Sequence, residues 1–234
     1  MIESKDNQQI KYIKKLQTKK YRDEYNEFLI FGEHLIEEAE KHGEIVKIYT
    51  TNHEKKGLLI SESLMKDLNF TKTAFDRLAI VKKIDKKINS NKVLILEDVQ
   101  DPTNVGALLR SAAAFGFKKV YISNKTADIY NERCIRASQG SIFHISVERT
   151  NIYNKIEELR KNGYSVIVAD INEENEIGYV DKLAIVLGNE GSGVSDRVKE
   201  LADALVTIKT ETVESLNVSV AGSILMYEWS LRWK

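Results

Sequence analysis

Three short stretches of the chain carry residue types that could act together on a ligand. The first runs through Asp101-Pro102 to Asn104, Gly106 and Arg110, a small-residue segment with one amide and one guanidinium. The second is Gly188-Asn189-Glu190-Gly191-Ser192-Gly193. Its glycines let the backbone bend sharply and come close to a ligand. The spacing is Gly-x-x-Gly-x-Gly, not the dinucleotide fingerprint, and no Gly-Lys-Ser or Gly-Lys-Thr follows as a phosphate loop requires. Glu190 inside this turn has no role in gripping a phosphate. The third stretch holds Ser215, Leu216 and Asn217. Each has a plain structural reading when taken alone: a strand-to-helix turn with a surface arginine, a glycine turn, a helix cap. Taken together, each follows a predicted strand and brings small polar residues that could converge on one crevice. In open α/β sheets, ligands bind beyond the carboxyl ends of the strands.

The elements that position these stretches can be read from periodicity. Residues 93–96 form an unbroken apolar run, which predicts a strand buried on both faces. Pro102, the only proline, ends it. A helix is expected over 104–115 with Leu108, Leu109, Ala112 and Phe115 on one side, placing Asn104 and Arg110 in the loop and first turns. Further strands are predicted at 120–122, 165–169, 184–187 and 205–208. Helices are expected at 131–138, 152–161, 196–201 and 217–233, with another apolar segment at 142–145. Such alternation implies a mostly parallel sheet covered on both faces. Before it, a basic helix is predicted over 7–21 with Ile10, Ile13 and Leu16 inward. A strand follows at 28–31, then a helix opened by Gly32 and closed near Gly43, a strand at 45–50, and a helix capped by Ser61. Residues 71–87 read as mixed, and the charged, aperiodic run 82–91 reads as a linker ending near Ser90. The expected domains are 1–90 and 91–234.

Composition narrows the partners. With 35 basic and 35 acidic side chains the net charge is zero, which argues against a uniformly basic nucleic-acid coat. Lys5, Lys11, Lys14, Lys15, Lys19, Lys20 and Arg22 nevertheless face only Glu3 and Asp6 at the start. That cluster is either a solvated lysine-rich helix or an RNA-facing patch. Cys134 is alone, and His34, His42, His53 and His144 show no metal-ligand spacing, so neither disulfide nor metal is expected. No apolar run approaches membrane-spanning length and the first residues do not open a signal peptide, which points to the cytoplasm.

The three stretches in this order resemble the SpoU (TrmH-like) family of RNA ribose methyltransferases, of the knotted SPOUT class. The resemblance covers about 92–232 and rests on Asn104, Gly106 and Arg110, on Gly188, Asn189, Glu190, Gly191 and Gly193, and on Ser215, Leu216 and Asn217. Residues 11–43 are similar to the small ribosomal-protein-like RNA-binding domain that many members carry. One departure is Lys209, where the family usually has proline after an isoleucine, here Ile208. The resemblance implies a fold: a C-terminal α/β trefoil-knotted methyltransferase domain with a mostly parallel sheet, preceded by a small α/β RNA-binding domain. It also implies S-adenosylmethionine as cofactor, held by backbone groups near Leu187, Gly188, Ile208 and Leu216, and methyl transfer to a ribose 2′-hydroxyl. Arg110 is the family's essential arginine. Since guanidinium does not lose its proton in proteins, a planar fork gripping phosphate suits it better than a base. Asn104 and Glu190 would hold Arg110 or the substrate ribose in register, with Ser215 and Asn217 hydrogen bonding from the other side. No histidine lies in these stretches, so the base stays open. Members are homodimers with the site completed at the interface. Gly106 and the final helix, with Val220, Ile224, Met226 and Trp229, fit that, though core packing explains the helix equally. The expected substrate is ribosomal RNA, with transfer RNA second. A non-catalytic RNA-binding assembly factor is the alternative, but binding alone would not need Asn104, Arg110, Glu190, Ser215 and Asn217 together.

Overall fold

The computed structural model describes residues 1–69, 75–170, 178 and 180–232. The chain begins with α1 (Gln8–Leu16), which buries Ile10, Ile13 and Leu16 as its periodicity predicts. The single basic helix expected over 7–21 is in fact two. Thr18 adopts an extended conformation, its hydroxyl donating to the Lys15 carbonyl at 3.1 Å, and α2 (Lys19–Tyr25) starts afresh. Next come β1 (Glu27–Phe31), α3 (Glu33–His42), β2 (Ile45–Thr50), the short β3 (Leu58–Leu59), α4 (Glu62–Leu68) and β4 (Arg77–Lys82). These strands form a sheet in the order β1-β4-β2-β3.

Residues 71–74 of the stretch expected to be mixed lie outside the described residues; in the rest, strand β4 pairs antiparallel with both β1 and β2 and buries Leu78, Ala79, Ile80 and Val81. The aperiodic stretch therefore starts at Lys83. It is pinned to both sides: Lys83 N–H donates to the Asn26 carbonyl at 2.8 Å, and the Tyr164 hydroxyl to the Ser90 carbonyl at 2.7 Å.

The second half alternates β5 (Lys92–Leu96), α5 (Pro102–Phe115), β6 (Lys119–Ile122), α6 (Glu132–Ser138), β7 (Ser146–Arg149), α7 (Ile152–Lys161), β8 (Ser165–Ala169), β9 (Leu183–Leu187), α8 (Asp196–Glu200), β10 (Ala204–Val206) and α9 (Val218–Arg232). Its sheet runs β10-β8-β9-β5-β6-β7, and every pairing is parallel. Two expectations shift here. The apolar segment 142–145 is not an element of its own. Gly140 turns the chain at φ +84°, a short 3₁₀ turn covers Ser141–Phe143, and the polar edge strand β7 begins only at Ser146. Strand β10 stops at Val206, so Ile208 lies beyond it. Trp233, placed in the last helix by periodicity, falls outside the described residues. Among those residues, no helix is long and apolar enough to cross a membrane.

The two halves share one core. Phe28, Ile30 and Val81 from the first sheet and Leu35, Ile36 and Ala39 from α3 belong to the same buried cluster as Leu94, Ile135, Ile142 and Phe143 from the second half. Arg22 crosses this boundary. Its side chain is 7% exposed, donates to the Leu16 and Gln17 carbonyls at 3.0 and 2.8 Å, and pairs with Asp128 at 2.6 Å. Arg22 therefore leaves the basic cluster as a structural residue. Of the rest, Lys5 and Lys14 pair with Asp67, Lys11 with Asp6 and Lys19 with Asp23, while Lys15 and Lys20 stand over the Tyr21 ring.

Candidate active site

Strands β5 and β9 lie side by side and end level, Leu96 opposite Leu187. From there the chain leaves in two directions, into α5 after β5 and into the glycine turn after β9. In open α/β sheets a ligand crevice forms where neighbouring parallel strands diverge in this way. Asp101 caps α5 by accepting the Thr103 N–H at 2.7 Å, and Pro102 occupies the first helical position, where its missing N–H costs nothing.

Glu190 reaches across the crevice. Its carboxylate accepts the backbone N–H groups of Gln100 and Asp101 and the Asn104 side-chain amide, each at 3.1 Å. Asn104 in turn accepts from the Asn217 amide at 3.1 Å. Asn217 also caps α9, accepting the Ser219 N–H at 2.9 Å and the Ser219 hydroxyl at 2.6 Å. One chain of hydrogen bonds, Glu190–Asn104–Asn217, thus ties all three stretches together. Partial burial pushes the Glu190 carboxyl up, but the Asn104 amide and the backbone N–H groups of Gln100, Glu190 and Asp101 outweigh it and hold it below the usual carboxylate range.

The glycine turn is closed by reciprocal backbone bonds between Asn189 and Gly193, both 3.0 Å. The Asn189 side chain donates to the Asp98 carbonyl at 2.9 Å and accepts from the Gly191 and Ser192 N–H groups. A Cβ on Gly188 would collide with the backbone of Gly193 and Val194, so only glycine fits there. Helix α9 closes the floor, with Gly222 against Leu187 and Leu108 and Ser223 bonded to Ser111 at 2.7 Å.

The donor set has a chemical bias. The segments 188–195 and 208–217 contain Glu190, Glu211 and Glu214 against a single lysine, Lys209, and no arginine. Such loops suit a cofactor carrying sulfonium and ammonium charge, and they disfavour nucleotide phosphates. S-adenosylmethionine meets that condition.

Comparison with known proteins agrees with this geometry. The model of the SpoU rRNA Methylase family matches residues 91–227, more than half of the chain, and that of the MRM3-like substrate binding domain matches residues 7–81. The chain belongs to the SpoU rRNA methylase family. Among its relatives, 23S rRNA (guanosine(2553)-2′-O)-methyltransferase RlmP of Bacillus subtilis (strain 168) is 37% identical over 241 residues, covering 97% of both chains. A solved RNA 2′-O ribose methyltransferase superimposes with a TM-score of 0.84 at 26% identity, over 99% of this chain and 98% of that one. The AdoMet-bound rRNA methyltransferase of Sinorhizobium meliloti shares the fold, with a TM-score of 0.87 at 24% identity over 100% and 98% of the two chains.

In this SpoU chain the residues singled out by sequence divide into two groups. Asn104, Glu190 and Asn217 are brought together. Arg110 is not joined to them: it sits in the third turn of α5 rather than in the loop or first turns, exposed, with no hydrogen bond or ion pair among the described residues. Six helical positions separate it from Asn104, about 9 Å along the axis and about 120° around it. Glu190 and Asn104 therefore grip each other and the turn; of the two holds expected of them, on Arg110 or on the substrate ribose, the one on Arg110 shows no hydrogen bond among the described residues. Ser215 is exposed and engages none of the described partners; Leu216 and Ile208 are half-buried, Ile208 against the main core. The Leu187 carbonyl takes the Glu97 N–H at 2.9 Å as the last rung of the sheet. Gly106, expected with the final helix to mark subunit packing, has α6 of the same chain as its close neighbour, where a Cβ would lie 2.7 Å from that of Ala137.

Sequence reasoning missed Glu97. It is only 4% exposed, and its carboxylate accepts the Ser195 N–H at 2.8 Å, the Ser195 hydroxyl at 2.7 Å and the Tyr153 hydroxyl at 3.2 Å. It thereby anchors the far end of the glycine turn to β5 and α7. An acid directly after a fully buried apolar run was the available signal.

Proposed function

We propose that this SpoU family protein transfers the methyl group of S-adenosylmethionine to a ribose 2′-hydroxyl of ribosomal RNA. The observation that carries the reading is the Glu190–Asn104–Asn217 chain, which gathers the three stretches at one crevice, while the exposed Arg110 guanidinium makes no hydrogen bond or ion pair among the described residues. When bound, the cofactor supplies an already activated methyl on its sulfonium. The task left to the chain is alignment and exclusion of water. The backbone around Leu187, Gly188, Ile208 and Leu216 is proposed to hold the cofactor. Arg110 offers a planar fork to an RNA phosphate and so fixes the adjacent hydroxyl, with Ser215 contributing a further hydrogen bond.

Ribosomal RNA is favoured over transfer RNA by the name of the Bacillus subtilis relative, which this chain matches along almost its whole length. The N-terminal unit, divided from the catalytic one near Ser90, is proposed to present that RNA. Helix α9 supports a homodimer, because Val220, Tyr227 and Leu231 lie along one face of it at 47%, 50% and 46% exposure. The chain from Leu187 to Leu216 is proposed to thread the family's trefoil knot, which an experimental trace of that segment checks. Fractionation of cells checks the cytoplasmic location that goes with an rRNA substrate.

Arg110 provides the main test. Methyl incorporation is measured on rRNA and on tRNA from cells lacking the gene. Arg110→Ala should lower it by more than a charge-assisted hydrogen bond is worth, about 1.5–3 kcal/mol or roughly 10- to 150-fold, because alignment goes too. Arg110→Lys should restore little, since an ammonium cannot hold two phosphate oxygens in a plane. Wild-type turnover with lysine would defeat the positioning role, and methylation of tRNA alone would defeat the substrate assignment.

A further inference from the structure

Away from the crevice, the two units meet along α3 and the turn after α6, and there the fold assembles a donor set that the histidine spacing hides. Glu38 and His42 sit one turn apart on α3, and His144, about a hundred residues later, follows the 3₁₀ turn. One ligand atom from each lies within 4.8 Å of the other two. His144 Nε2 is 2.7 Å from a Glu38 oxygen, and the His42 and His144 rings are 4.3 Å apart. From this arrangement we infer that Glu38, His42 and His144 form a divalent transition-metal site, of the type that takes Zn²⁺, bridging the substrate-binding and methyltransferase units.

A simple Glu38–His144 ion pair accounts for only part of this geometry. It leaves His42 without a purpose: among the described residues its ring makes no hydrogen bond, although it stands against His144. Two imidazoles and one carboxylate, with water in the fourth position, are an established Zn²⁺ donor set.

The backbone around the site is fitted to it. Gly140, at φ +84°, lets Glu38 pass where a Cβ would come 2.9 Å from its Cγ, and Gly43 makes room for the Phe143 ring. Lys86 joins the two walls by donating to the carbonyls of His42 and Phe143. Lys86 and Lys41 oppose a cation. The carboxylate of Glu38 and the negative end of α3, which closes at His42, favour one. Because two ligands come from one unit and the third from the other, a bound ion would clip the interface.

The test uses the untagged full-length protein, stripped with chelator and titrated calorimetrically with Zn²⁺ alone. One ion should bind per chain, and Mg²⁺ should not compete, since it prefers an all-oxygen shell. His42→Gln and His144→Gln, both on exposed side chains, should each weaken binding at least tenfold, whereas His53→Gln should leave it unchanged. Co²⁺ in place of zinc should give the strong visible bands of a four-coordinate ion, and these should vanish in the His144 variant. The proposal is overturned if the wild-type chain takes up no zinc, or if both glutamine variants bind it as well as wild type. The crevice is untouched by these substitutions, so the outcome is independent of methyl transfer.

Discussion

Replacing Gly188 by alanine puts the crevice under a defined load. The added Cβ meets the Gly193 carbonyl and the Val194 nitrogen, well inside the 3.0 Å below which real Cβ atoms essentially never come. Both obstacles are backbone, so no flexible side chain can swing aside. The turn must open, and doing so breaks the two Asn189–Gly193 bonds. Keeping the turn closed around the Cβ costs about 1–3 kcal/mol of overpacking, which opening relieves at the expense of the two bonds, about 0.5–1.5 kcal/mol each. If the cofactor needs the closed turn, binding must restore that strain, and its affinity should fall by up to about 150-fold. Gly191→Ala is the control, since its Cβ would meet only the Asn189 side-chain oxygen at an ordinary 3.6 Å. Calorimetric titration with S-adenosylmethionine should show Gly191→Ala within a few-fold of wild type and Gly188→Ala far weaker. Hydrogen exchange at the Gly193 amide separates the structural claim from the functional one. A Gly188→Ala protein with wild-type protection at Gly193 would refute the packing argument itself. Lost protection with unchanged affinity would refute only the link to the cofactor.

Two further expectations follow from other parts of the molecule. Arg22→Ala strands Asp128 and two carbonyls at the boundary between the units, and should cost about 3–5 kcal/mol, lowering Tm by roughly 6–20 °C, whereas Lys15→Ala should change stability by less than about 0.5 kcal/mol. A loss below 1 kcal/mol for Arg22→Ala in denaturant unfolding would mean the pair does not hold the boundary. Val220→Asp, which charges the exposed face of α9, should convert a dimer at micromolar concentration into a monomer in sedimentation; an unchanged dimer would move the interface elsewhere.

Those parts of the fold whose environment is uniform were legible in the sequence. Strands β5 and β9 are buried on both faces, so they read as unbroken apolar runs, and α1 announces itself through Ile10, Ile13 and Leu16. Strand β4 escaped because its apolar run merges into a charged stretch and its partners, β1 and β2, are distant in sequence. The same distance hid what charged residues do. Arg22 reads as one more surface cation until Asp128 is known to face it, and His42 reads as isolated until His144 folds beside it. The three chemical stretches were found because each follows a strand. Their internal wiring was not, since no spacing says that Glu190 would choose Asn104 over Arg110.

The shared core has a consequence for how a nucleotide would be chosen. Phe28, Ile30 and Val81 are packed into the same apolar mass as Ile135 and Phe143, so the first unit is not a hook swinging on a string. A tethered module samples a volume and raises local concentration without regard to direction. A module welded in place works as a gauge. RNA gripped at one end would offer the crevice only those riboses that fall at a fixed distance and angle, and selection would then rest on the shape of the folded RNA more than on its bases.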